Sequence, residues 1–128
     1  MVRKIVRETP IMDMHTHLFP PSFGNLLLSG IDELLTYHYL VAETARVSPL
    51  GESMLSHPLR RQAEEVWHCL FHNRSPISEA CQGVVHTLHL LGFDPRRDAL
   101  GPIRTAWAAV PVEERISRVF DLAGVEAA

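Results

Sequence analysis

The chain has 128 residues, 46% of them hydrophobic, enough apolar side chains for one core. Its formal net charge of −3 and pI near 6.2 give no basic excess, so the electrostatic footprint of a nucleic-acid binder is missing. No apolar run approaches the ~20 residues of a membrane span and no signal-peptide core follows the charged first nine residues, so the sequence reads as cytoplasmic, with neither nucleic acid nor membrane as partner.

The first predicted element is a strand over about Pro10 to His15, part of the apolar run Ile11-Met12-Asp13-Met14-His15-Thr16-His17-Leu18-Phe19-Pro20. Residues 18–30 hold Pro20, Pro21, Gly24 and Gly30 around Leu26-Leu27-Leu28, the composition of a loop with at most a short helical turn. Ser29 followed by Asp32 resembles a capping signal, and Ile31, Leu34, Leu35 and His38 continue with helical spacing until Ser48-Pro49, predicting one helix from Ile31 to Arg46. After Ser56, with Pro58 near the first helical position, Leu59, Ala63, Val66, Trp67, Leu70 and Phe71 form one 3.6-period stripe.

A third long helix is predicted from Ser75-Pro76, serine capping and proline in the first turn, with Ile77, Cys81, Val84 and Leu88 on its stripe and Gly92 as stop. A shorter helix follows over Pro102 to Val110. Pro111 opens the last, with Val112, Ile116, Val119 and Phe120 on one face; Gly124 closes it, and Val125 begins what reads as a second strand of a β/α unit. Cys69 and Cys81 lie on apolar stripes, as reduced buried thiols do.

His15 and His17 carry the chemistry. Alternate residues of a strand share a face, so these two imidazoles would stand side by side where the strand ends, a geometry suited to one divalent metal ion. The alternative is an incidental pair, one ring solvated and the other bonded to backbone. The apolar run before the pair and the proline after it favour the metal, because carboxyl ends of parallel strands are where α/β barrels place their chemistry. His68 and His72, four apart, and His86 and His89, three apart, also share helical faces, but His68 neighbours the apolar stripe and no Cys-x-x-Cys or His-Glu-x-x-His accompanies either pair, so ordinary helical histidines are the better reading.

Three blocks together resemble a known family. Asp13-Met14-His15-Thr16-His17-Leu18 with Pro20 resembles the first-strand motif of the amidohydrolase superfamily. Leu34-Leu35-Thr36-Tyr37-His38-Tyr39 resembles the His-Tyr segment of uronate isomerases, and Ser75-Pro76 through Phe93, with Val85-His86-Thr87-Leu88-His89, is similar to that family's Asn-Pro and His-Trp-Thr-His-Leu region. The chain departs from the family pattern at Ser75, where asparagine is usual, and in lacking Lys-Trp after Tyr39.

The resemblance implies a mostly α chain that is the N-terminal piece of an α/β TIM-like (β/α)8 barrel, a fold that typically needs ~250 residues. Residues 1–24 would be lead-in and first barrel strand, 25–110 a helical insertion, and 111–128 a barrel helix leading to the second strand. It implies interconversion of D-glucuronate or D-galacturonate with the 2-keto sugar acid through an enediol(ate). His15 and His17 would be metal ligands, with zinc ahead of manganese or iron, and His38 and Tyr39 would contact the uronate. For His38 the plain alternative is a half-buried helical histidine with a backbone partner.

No catalytic residue is expected within the chain. The partners implied are the small-molecule uronate, the remainder of the barrel or another chain, and in an assembled enzyme further copies of itself. The isolated chain is therefore expected to be inactive. Two rival readings are a metal-dependent hydrolase or decarboxylase of the same superfamily and a non-enzymatic helical module.

Overall fold

A computed structural model describes residues 2–14 and 19–128. In chain order the elements are α1 (Val2–Glu8), β1 (Ile11–Met12), a 3-10 helix (Pro21–Leu26), α2 (Ile31–Leu35), α3 (His38–Val47), a second 3-10 helix (Gly51–Ser56), α4 (Leu59–Val66), a π-helical continuation (Trp67–His72), α5 (Glu79–Leu90), α6 (Leu100–Ala108), α7 (Val112–Ala123) and β2 (Val125–Ala127). The chain is thus mostly helical with one small sheet. It divides into two compact units, Met1–Ser29 with Val110–Ala128, and Gly30–Ala109.

In the first unit β1 and β2 pair in parallel, Ile11 opposite Val125 and Met12 opposite Ala127, with an irregularity between. The Ile11 N–H donates to the Gly124 carbonyl at 2.9 Å and the Asp13 N–H to the Ala127 carbonyl at 2.8 Å. The second strand expected after Gly124 is therefore present and partnered with the first. Gly124 makes the change from helix to strand possible: at φ 67° and ψ 29° it sits in the left-handed region that other residues enter at a cost. Of the expected strand from Pro10 to His15, Ile11 and Met12 are in the ladder.

The second unit is entirely helical and holds every fully buried apolar side chain among the described residues, from Ile31 to Trp107. The predicted stripe on α4 faces inward at Ala63, Val66, Trp67 and Leu70, and the Trp67 and Phe71 rings stack with centroids 5.4 Å apart. Its last part widens to a π-helix, with the Asn73 N–H reaching the His68 carbonyl at 2.9 Å. Leu35, Leu40, Met54 and Leu88 are completely enclosed, each worth roughly 2 kcal/mol of transfer free energy. Cys69 and Cys81 are buried free thiols, as their stripes indicated.

Several predicted boundaries move. The helix expected from Ile31 to Arg46 is two helices, because Thr36 ends α2 by bonding its own N–H and its hydroxyl to the Asp32 carbonyl, and Tyr37 is extended at ψ 134°. The N-cap of α2 is Gly30 rather than Ser29; a side chain at Gly30 would collide with the Glu33 carboxylate. The third long helix begins at Glu79, three residues after the expected Pro76, since Ser78 supplies the cap: its Oγ accepts from the Cys81 N–H at 3.2 Å. Ile77 consequently lies outside the helix and is exposed. Helix α6 starts at Leu100, placing Pro102 in its first turn, where proline's missing N–H costs nothing. No helix among the described residues is long and apolar enough to cross a membrane.

Candidate functional site

The break between α2 and α3 creates the most distinctive surface of the second unit. Tyr37, the N-cap of α3, is followed by His38 and Tyr39 in the first turn, and all three side chains are exposed. They are anchored from both sides, since Leu35 and Leu40 are completely buried and fix the chain on either flank. The rings then pack on one another. Tyr37 and His38 have centroids 4.4 Å apart, His38 and Tyr39 4.2 Å apart, and Tyr37 meets Tyr39 edge-on at 5.4 Å.

No side chain caps the N-terminus of α3. Its partial positive charge thus lies beside two phenols and an imidazole, and anions are stabilised at helix N-termini. A polyol with a carboxylate has something to meet at each part: aromatic faces for its C–H surface, hydroxyls and imidazole for its oxygens, the helix end for its charge. The structure thus brings His38 and Tyr39 together and adds Tyr37, which sequence reasoning did not single out although it sits next to them. His38 is exposed rather than half-buried.

The metal expectation at His15 and His17 lies outside the described residues. Asp13, just before them, is held at the end of the parallel ladder. Among the described residues no group of three or more histidine, cysteine, aspartate or glutamate side chains is arranged to hold a metal. The His68 and His72 rings stack at 5.9 Å, and His68 Nε2 lies 2.9 Å from the Asn73 amide nitrogen. His89 sits 3.6 Å from the Asp94 carboxylate.

A second polar cluster lies at the junction of α3 and α4. The Ser48 hydroxyl donates to Glu65 Oε1, which also accepts from the Cys69 thiol at 3.3 Å. The Ser48 bond holds the Glu65 carboxyl below the usual glutamate range, while burial, reinforced by Glu65, pushes the Cys69 thiol up. A thiol held protonated is a poor nucleophile, so this cluster reads as a helix tie and not as a reaction centre. It lines an open cleft of about 720 Å³ with Arg61, His68 and Arg74 on its rim.

No protein-family model and no curated protein sequence matches the chain. Among solved structures, a uronate isomerase from Bacillus halodurans C-125 is similar, with a TM-score of 0.89 and 47% identity over 97% of this chain. The chain belongs to the uronate isomerase family. It spans 30% of that relative's length. Identity of this order over nearly the whole chain carries the family assignment well beyond a shared helical architecture, and it agrees with the three sequence blocks that first suggested it.

Proposed function

We propose that this chain carries part of the active site of a uronate isomerase, an enzyme that converts an aldose uronate such as D-glucuronate or D-galacturonate to its 2-keto isomer. The observation that carries the reading is the 47% identity with a uronate isomerase over 97% of the chain. The reaction removes a proton from C2, passes through an enediol(ate), returns a proton to C1 and shifts the hydroxyl proton from O2 to O1, so that the carbonyl moves from C1 to C2 and no water is consumed.

The chain's own residues contribute binding and orientation. His38 donates a hydrogen bond to the carboxylate or a hydroxyl of the sugar acid, Tyr39 adds a second hydroxyl contact, and the first turn of α3 favours the negative charge. His15 and His17 are the donors for a divalent ion. Two imidazoles one residue apart suit zinc and leave at least two tetrahedral positions for groups from elsewhere. Such an ion supplies Lewis-acid polarisation of substrate oxygens.

A (β/α)8 barrel completed by polypeptide outside this chain provides the remaining ligands and the proton-transfer groups, which leaves the 128 residues alone without turnover. The single fully helical unit also suits the rival of a non-enzymatic module, and one experiment separates the two. In an NMR titration of the zinc-loaded chain, D-glucuronate and D-galacturonate should shift the His38 and Tyr39 ring resonances, D-glucose should not, and His38→Ala should abolish the response. Equal shifts with D-glucose, or none with either uronate, overturn the assignment.

A further inference from the structure

The three rings at the start of α3 meet in a way that a regular helix does not allow. Successive helical side chains point about 100° apart, so residues i, i+1 and i+2 do not face one another. Here Tyr37 lies against His38 with centroids 4.4 Å apart, His38 against Tyr39 at 4.2 Å, and Tyr37 closes the triangle on Tyr39 at 5.4 Å with the ring planes 71° apart. That closure needs the break before α3. The Thr36 hydroxyl, 2.8 Å from the Asp32 carbonyl, helps end α2, and Tyr37 then takes φ −56° and ψ 134°, outside the helix.

The core does not need this triangle. Leu35 and Leu40 on its flanks are completely buried, whereas Tyr37 is 51% and Tyr39 60% exposed, and His38 is exposed with them. An exposed histidine ordinarily samples roughly three wells about χ1 and a roughly twofold choice about χ2. An imidazole in contact with two phenol rings, which also touch each other, loses that freedom before any ligand arrives. Such preorganisation strengthens binding by the factor by which it enriches the competent conformer, because an apparent dissociation constant varies inversely with that conformer's population.

We propose that Tyr37 is a positioning residue for His38: set edge-on against Tyr39, its ring holds the imidazole in the rotamer that meets the uronate. The inference rests on the uronate isomerase reading for its ligand and on the ring triangle for its residue. The contacts run between rings, so the aromatic ring of Tyr37 is the part that positions His38. Tyr37→Phe therefore keeps the wall and Tyr37→Ala removes it. Released among the χ1 wells and χ2 orientations, His38 in Tyr37→Ala should bind D-glucuronate about three- to sixfold more weakly.

The test reads the His38 ring by NMR in the zinc-loaded chain, as wild type, Tyr37→Phe and Tyr37→Ala. Without ligand, the His38 ring protons should be displaced from free-imidazole positions by the ring currents of the two phenols and show nuclear Overhauser contacts to residue 37 in wild type and Tyr37→Phe; Tyr37→Ala should move them toward the free positions. In titrations with D-glucuronate, Tyr37→Ala should show the three- to sixfold weaker binding and Tyr37→Phe should recover most of it. Unchanged His68 ring resonances and an unchanged helical melting transition separate lost positioning from lost folding; if Tyr37→Ala melts early, Tyr37→Ser, whose hydroxyl can cap α3, replaces it. The proposal is overturned if Tyr37→Ala leaves the ligand-free His38 resonances in place, or if Tyr37→Phe binds as weakly as Tyr37→Ala. A wild type that responds to D-glucuronate beside a Tyr37→Ala that responds equally overturns the positioning role alone. A wild type whose His38 does not respond at all overturns the isomerase reading and the positioning role together.

Discussion

The guanidinium of Arg104 on α6 donates from Nε to Asp32 Oδ1 on α2 at 2.6 Å, across 72 positions of sequence. The same side chain reaches Glu64 on α4 through Nη1 at 3.0 Å and the Arg60 carbonyl through Nη2 at 3.0 Å. Only 12% of the Arg104 side chain is exposed, so one planar fork ties three helices in a partly desolvated setting. Arg104→Ala leaves Asp32 without its cation and should destabilise the helical unit by about 2–4 kcal/mol in urea unfolding. Arg104→Lys should recover only part of this, having one point of attachment for three. A loss under about 0.5 kcal/mol would show the network to be no stronger than an exposed ion pair.

The cap of α5 gives a sharper comparison. Ser78 caps the helix and its hydroxyl also donates to Glu43 Oε2 at 2.7 Å, joining α5 to α3. Ser78→Ala should cost about 1–2 kcal/mol, the upper range for a lost N-cap, whereas Ser75→Ala should be neutral within about 0.5 kcal/mol. The reverse order would place the helix start where the sequence pattern first suggested.

Stability should fall at both ends of the pH range. Glu65 has a folded pKa below its unfolded value, so its contribution is complete above about pH 4.3 and is lost as pH falls through the lowered folded value, where the unfolded state binds more protons. Burial raises the Cys69 and Cys81 thiols, so their contribution is complete below about pH 8.5 and is lost as pH rises beyond it. Glu65→Gln should flatten the acid limb of a stability-versus-pH curve, and Cys69→Ala with Cys81→Ala should flatten the alkaline limb. Unchanged limbs in these variants would assign the slopes to other groups.

How much of this was legible in advance follows from the range of the forces involved. The α4 stripe, the bounds of α7 and the strand at Val125 are set by periodicity and by one glycine, and those signals are local. The break at Thr36-Tyr37 carries neither glycine nor proline; it arises because a threonine hydroxyl competes for a helix carbonyl, which a hydrophobic pattern does not register. The sequence pattern places the cap at Ser75; the contact that holds Ser78 comes from Glu43 on α3, 35 positions away. The Arg104 network joins residues up to 72 positions apart and has no sequence signature. At the candidate site, the family resemblance names His38 and Tyr39, while the stacking of Tyr37 on them depends on the turn at the start of α3.

The reading proposed for the histidine pair His15 and His17 is a partial metal site of a uronate isomerase. The most direct test is equilibrium dialysis of the purified chain against a rising zinc series, with bound zinc measured beside His15→Ala and His17→Ala. The wild-type chain is expected to take up about one zinc as the series rises, and each variant to bind at least tenfold more weakly, having lost one of only two protein ligands. Equal zinc in all three proteins would contradict it.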